Sequence, residues 1–146
     1  MHKQKVAIII ASAAGMVGTF LPWVTLPILG GISGTQGDGW ITFIMFGLAL
    51  VAAAVGNKEH ALNAVQLVLA VILGGGAGLV GIWKIIDFKR SVGDVPTDNA
   101  LAKAVGSIVS IGSGLYLIAL AGIAVIFFVF ALREGAQEVE KISDED

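Results

Sequence analysis

The chain has 146 residues, 56% of them hydrophobic and 14% charged. Soluble domains carry roughly 25% charged residues, so this composition excludes an ordinary soluble domain and implies a membrane protein of one compact domain. The net charge of -2, with its acidic excess in the last residues, offers no basic surface for phosphates and excludes nucleic acid as a partner, and the absence of cysteine excludes disulfides and thiolate chemistry.

Charged residues gather at the N-terminus, around 57–60, between Lys84 and Lys103, and after Leu132. These clusters cut the chain into four apolar segments. The expected fold is an all-α membrane protein: a four-transmembrane-helix bundle over about 6–21, 40–56, 61–87 and 100–132, with a short extracytoplasmic β-hairpin over 23–39 between helices 1 and 2.

The opening MHKQK followed by VAIII has the charge pattern of a signal peptide, with Ala11-Ser12-Ala13 as a cleavage-like triplet. The apolar run continues to Leu21, however, so an uncleaved first helix is expected, stopped by Pro22. Ala7, Ala11, Gly15 and Thr19 recur every four residues, as do Ala14 and Gly18. Such small stripes let another helix approach closely.

After Trp23, Val24, Leu26 and Ile28 alternate with Thr25, Pro27 and Leu29, the period of a strand. Pro27 lacks an N–H and places this strand at a sheet edge. Gly30 and Gly31 supply a turn, and 32–39 returns as the second arm. An open hairpin edge cannot lie in lipid, and an isolated hairpin is marginal in water, so it requires a platform outside the bilayer. Asp38, between Gly37 and Gly39, is a single carboxylate, too few for calcium; it is expected to serve the turn or the N-cap of helix 2.

The link Gly56-Asn57-Lys58-Glu59-His60 joins helices 2 and 3, whose first turns carry Asn63 and Gln66, amides able to bond to a neighbouring helix or to headgroups. Helix 3 holds five glycines between Leu73 and Trp83, with Gly74 and Gly78 as a GxxxG pair. A tight crossing with helix 1 or helix 4 is the expectation. In helix 4, Gly106, Ser110 and Gly114 form the matching stripe, the hydroxyl of Tyr116 needs a partner, and Ile126–Phe130 face lipid. The tail over 136–146 is acidic and expected to be disordered on the cytoplasmic side.

Four spans place both termini together. With that side cytoplasmic, the inside carries Lys3, Lys5, Lys58, Arg133 and Lys141 and the outside Lys89, Arg90 and Lys103, which sets a multi-pass plasma (inner) membrane topology with both termini cytoplasmic. Trp23, Trp40 and Trp83 all fall at the hairpin interface. The surplus turns of helices 3 and 4 are expected to project there as the platform. Lys84 and Asp87, three apart at the edge of helix 3, are expected to pair with each other and to snorkel to the surface.

The combination FLPW at Phe20–Trp23, a Gly-rich segment, and GDGWIT from Gly37 to Thr42 resembles small uncharacterised bacterial four-helix integral membrane proteins, a resemblance that covers Gly18–Thr42 and the four-span plan and carries no activity with it. Claudin-type tetraspans also place tryptophans and β-structure in their first extracellular loop, but the Gly-Leu-Trp motif and both cysteines of that pattern are missing here, so no claudin residue or function transfers.

The expected function is non-enzymatic assembly or partner recognition through the extracytoplasmic hairpin face. Its candidate interaction residues are Trp23, Pro27, Asp38, Trp40, Trp83, Lys84 and Asp87, and its helix-packing residues are Gly15, Gly18, Gly74, Gly78, Gly106 and Gly114. The expected partners are the lipid bilayer and either a second copy of the chain or a membrane or extracytoplasmic protein. The alternative is an oligomeric channel or small transporter subunit lined by glycine-rich helices. Neither catalytic groups, metal ligands nor a cofactor are expected: HExxH, GxSxG and paired intramembrane aspartates are absent, and an intramembrane enzyme ranks last.

Overall fold

The computed structural model describes residues 2–26, 30–55, 61–93, 100, 104, 106 and 108–143. The chain is mostly helical, with four long helices and one small sheet. Helix α1 is Lys3–Phe20, α2 is Gly39–Ala54, and α4 is Ser113–Ser143. Helix α3 begins as Ala64–Ala70, passes through a π-helical turn at Val71–Gly75, and continues as Gly76–Gly93. Strands β1 (Pro22–Leu26) and β2 (Gly30–Ser33) follow α1, and β3 (Ser110–Ile111) precedes α4.

Local chemistry sets the helix ends. The His2 side chain caps α1 by accepting from the Gln4 N–H, and Leu21, extended before Pro22, ends it. Helix α3 opens with a complete capping box: the Asn63 side chain accepts from the Gln66 N–H while the Gln66 side chain accepts from the Asn63 N–H. The two amides thus serve chiefly the start of their own helix. Gln66 also reaches the neighbouring helix end, donating to the Val55 carbonyl at 2.7 Å.

Consecutive helices run antiparallel, as paired contacts at both ends show: Thr19 meets Thr42, and Lys5 meets Val55. Side chains are removed where the helices cross most closely. A Cβ at Gly78 would lie 2.7 Å from the Gly122 Cα, and one at Gly74 would lie 2.7 Å from Val125 Cγ1. Gly74, Gly75, Gly78 and Gly81 therefore face α4, while Gly76 faces Met45 of α2. Gly15 leaves room for the ring of Phe46 on α2, and Gly18 lies against the Gly114 carbonyl of α4, 3.2 Å from where its Cβ would stand. Gly114 accordingly serves the contact with α1 and not the helix 3 crossing expected of it. Gly106 is helical but precedes β3, and Ser110 lies in β3, so the expected stripe 106–110–114 does not exist on one helix.

Two buried clusters fill the interior, one around Ile8, Ala53, Ala70 and Val125 and the other around Trp23, Phe46, Ala77 and Ile118. Each helix turns a stripe of large apolar residues outward: Val6, Ile10, Val17 and Phe20 on α1; Trp40, Ile44, Leu48 and Val51 on α2; Val65, Leu69, Ile72, Leu79 and Trp83 on α3; and Tyr116, Leu120, Ile123, Phe127 and Phe130 on α4. Tyr116, whose hydroxyl needs a partner, is on the outward face of α4. Of the run 126–130, Phe127 and Phe130 point out while Val129 is fully buried.

Several boundaries differ from expectation. Helix α4 starts at Ser113 instead of 100, because 110–111 is taken up by β3, and it continues to Ser143, so the tail is helical through that residue. Two helices, not four, are long and apolar enough by themselves to cross a membrane: 64–92 and 113–132. Helix α2 has 16 residues, and α1 includes Lys3, Gln4 and Lys5 in its first turn. Gln4 and Lys5 are buried where solvated N-terminal residues would be expected. Gln4 donates to the Val129 carbonyl at 2.8 Å and accepts from the Leu62 N–H at 3.1 Å, and Lys5 donates to the Val55 carbonyl at 3.2 Å.

The hairpin is present, but its sheet has three strands in the order β2-β1-β3, both pairings antiparallel. Strand β1 is therefore central and not at the edge. Pro27, the residue that pointed to an edge, lies outside the described residues. Gly30 and Gly31 belong to β2, with Gly30 at φ 82°, and the second arm ends at Ser33, where Gly34–Gln36 form a 3₁₀ turn.

Candidate functional site: a groove between the sheet and α3

The sheet is stitched to the helices by Trp23. A bulge between Pro22 and Val24 frees Trp23 from regular pairing. Its indole is buried, 7% exposed, and donates from Nε1 to the Gly18 carbonyl at 3.3 Å. Gly34 and Gly114 leave room for the ring; a Cβ at Gly114 would stand 2.9 Å from Trp23 Cδ1. Below the ring, a Cβ at Gly39 would stand 2.5 Å from the Gly34 carbonyl oxygen, so the 3₁₀ turn is pressed onto the start of α2.

The other wall is the last part of α3. A cavity of about 290 Å³ lies between this overhang and the sheet, lined by Trp23, Val24, Ile32 and Ser33, by Gly34, Gln36, Gly37 and Asp38, by Lys84, Asp87, Phe88 and Ser91, and by Leu115. Among the described residues the overhang beside the sheet is the last part of α3. Helix α4 begins level with the sheet, so its surplus length lies at the opposite end, and β3 takes the place of the expected second projection.

Lys84 pairs across the groove with Asp38, Nζ to Oδ2 at 2.6 Å, and not with Asp87 as its spacing suggested. Asp38 stands at the N-cap of α2 but makes no capping bond there. The hydrogen bond from Lys84, together with its positive charge, holds the Asp38 carboxyl below the usual carboxylate range. Asp87 contributes its backbone carbonyl to Ser91, whose hydroxyl donates at 2.9 Å.

Of the expected interaction residues, Trp23, Asp38, Lys84 and Asp87 meet in this groove. The other two tryptophans differ from Trp23 in being exposed, Trp40 at 52% and Trp83 at 60%. Trp40 donates from Nε1 to the Thr35 carbonyl at 3.1 Å and packs edge-on against Phe43. Trp83 carries the Lys84 ammonium 5.4 Å from its ring centre. Phe88 and Ser91 are lining residues that the sequence reading missed. They fall on the same helix face as Lys84, a signal readable once helix 3 is carried past Asp87. Ser33 ends β2 and Gln36 lies in the 3₁₀ turn after it, for which the sequence offers no periodic signal.

Among the described residues no group of three His, Asp or Glu side chains stands together in a way that could hold a metal ion. The arrangement is an amphipathic groove, with apolar side chains below and one ion pair plus one further carboxylate at the rim. No family model, no curated protein and no solved structure matches the chain.

Proposed function

We propose that the protein is a four-span integral protein of the plasma membrane, both termini cytoplasmic, whose sheet-capped outer face assembles with a second copy or with a membrane or extracytoplasmic protein and catalyses no reaction. The observation that carries this reading is the inverted distribution of side chains. All four helices, including the two that are short or charged at one end, turn uncharged stripes of large apolar residues outward, while Gln4, Lys5, Ser12, Thr19 and Thr42 are buried. A soluble protein would expose a continuous apolar belt at great cost; lipid covers it. Helices of 18 and 16 residues rise only about 27 and 24 Å, a shortfall a bilayer accommodates by local thinning.

Recognition is favoured over transport because the α3 glycines are occupied by close contact with α4 and, at Gly76, with α2, while the groove and the edge strand β2 stand at one face. Affinity purification of the tagged protein from native membranes, followed by mass measurement of the intact complex, tests the assembly reading. A stoichiometric complex that dissociates when Gln36 or Ser91 is changed to Trp supports it. A bare monomer in every membrane preparation argues against it.

A further inference from the structure

We infer that the groove between the sheet and α3 binds the headgroup of a zwitterionic phospholipid ending in a primary ammonium, the phosphoethanolamine type. This goes beyond the protein partner proposed above and rests on the membrane placement alone. From Ala64 to Trp83, about 20 residues at ~1.5 Å each raise α3 by about 30 Å, one hydrocarbon thickness. Lys84 and Asp87 therefore stand in the headgroup layer, at the level that the exposed indoles of Trp40 and Trp83 mark.

The charges at the rim fit both ends of such a headgroup. Lys84 and Asp87 are three apart on one helix face, which sets a positive and a negative group about 5–6 Å apart at their Cβ atoms. The Lys84 ammonium has three donors; Asp38 takes one at 2.6 Å, and the others remain for a phosphodiester. Among the described residues nothing pairs with the Asp87 carboxylate, which is left to accept from an ammonium. The charged groups that line the groove are Lys84 on one side and Asp38 and Asp87 on the other, so both signs of a zwitterion find a counterpart there. A quaternary ammonium has no N–H to give Asp87. The apolar floor of Trp23, Ile32 and Leu115 suits the glycerol region, and the outward stripes of α2 and α3 below it offer a path for the acyl chains.

The test uses the full chain in nanodiscs containing equal amounts of phosphatidylethanolamine and phosphatidylcholine, with native mass spectrometry counting retained lipids. Wild type is expected to keep the ethanolamine lipid about tenfold over the choline lipid, the size of one charge-assisted hydrogen bond. Asp87→Asn should bring the ratio near one, and Asp87→Glu should restore most of it. Equal retention by wild type or an unchanged preference in Asp87→Asn each overturns the inference. A chain that stays soluble without detergent and does not enter nanodiscs overturns the membrane placement itself, a separable failure.

Discussion

Trp23 and Trp40 are close in sequence and opposite in consequence. Replacing Trp23 with Ala removes a buried ring that holds β1, the 3₁₀ turn and the start of α4 together, and should cost about 3–5 kcal/mol. Trp40→Ala loses an exposed ring and should cost about 1 kcal/mol or less. Reversible unfolding in mixed micelles measures both; equal losses would contradict the placement of Trp23 as the anchor. Asp38 makes a pH-dependent contribution. Its folded-state pKa lies below its unfolded value because Lys84 stabilises the carboxylate, so the pair favours the folded state above the unfolded pKa and that contribution is lost as pH falls through the folded pKa. Wild type should therefore exceed Asp38→Asn in thermal midpoint at neutral pH and converge with it in acid. A constant gap across that range would remove the ion pair as its cause.

Among the elements, the α3/α4 crossing leaves no space for added volume. A Cβ at Gly78 meets the Gly122 backbone, which cannot rotate away, so Gly78→Ala should separate the helices and cost about 1–3 kcal/mol. At Gly47 a Cβ would touch only the Met16 methyl, 3.9 Å away, so Gly47→Ala should change stability by about 0.5 kcal/mol or less. Unfolding of the two variants side by side checks the contrast. That helix 3 crosses another helix through its glycines is legible in the sequence, because five glycines within one apolar run have few other uses in lipid. Which residues receive them is not legible: Gly122 and Val125 sit in an unremarkable apolar run, and the stripe that looked complementary is broken by β3. The hairpin is legible from the alternation after Trp23. Its third strand is not, since Ser110 and Ile111 are two residues in a stretch that reads as helix, and their pairing with Val24 and Thr25 is set by the position of α4 against α1. The Asp38–Lys84 pair likewise depends on α2 and α3 standing side by side, whereas Lys84 and Asp87 are near each other in any helix.

At the scale of the whole molecule, polar groups at one end and a structured cap at the other make the bundle directional. A knot of hydrogen bonds from the buried Gln4 and Lys5 to Val55, Leu62 and Val129 ties α1 to its neighbours at the termini side. Gln4→Leu strands the Leu62 N–H in a buried site and should cost about 1–3 kcal/mol, read as faster amide exchange at Leu62 and a lower unfolding midpoint. Unchanged exchange would mean that the knot does not hold that end. In the proposed four-span placement the cap lies on one side of a bilayer and the knot on the other. Because the chain has no cysteine, single substitutions report this topology without background. In intact cells treated with a membrane-impermeant maleimide, Gln36→Cys and Ser91→Cys should be labelled, while His2→Cys should react only after the membrane is opened. Labelling of His2→Cys from outside together with protection of Gln36→Cys and Ser91→Cys would invert the orientation, and equal labelling of all three in the soluble fraction would contradict the four-span membrane protein.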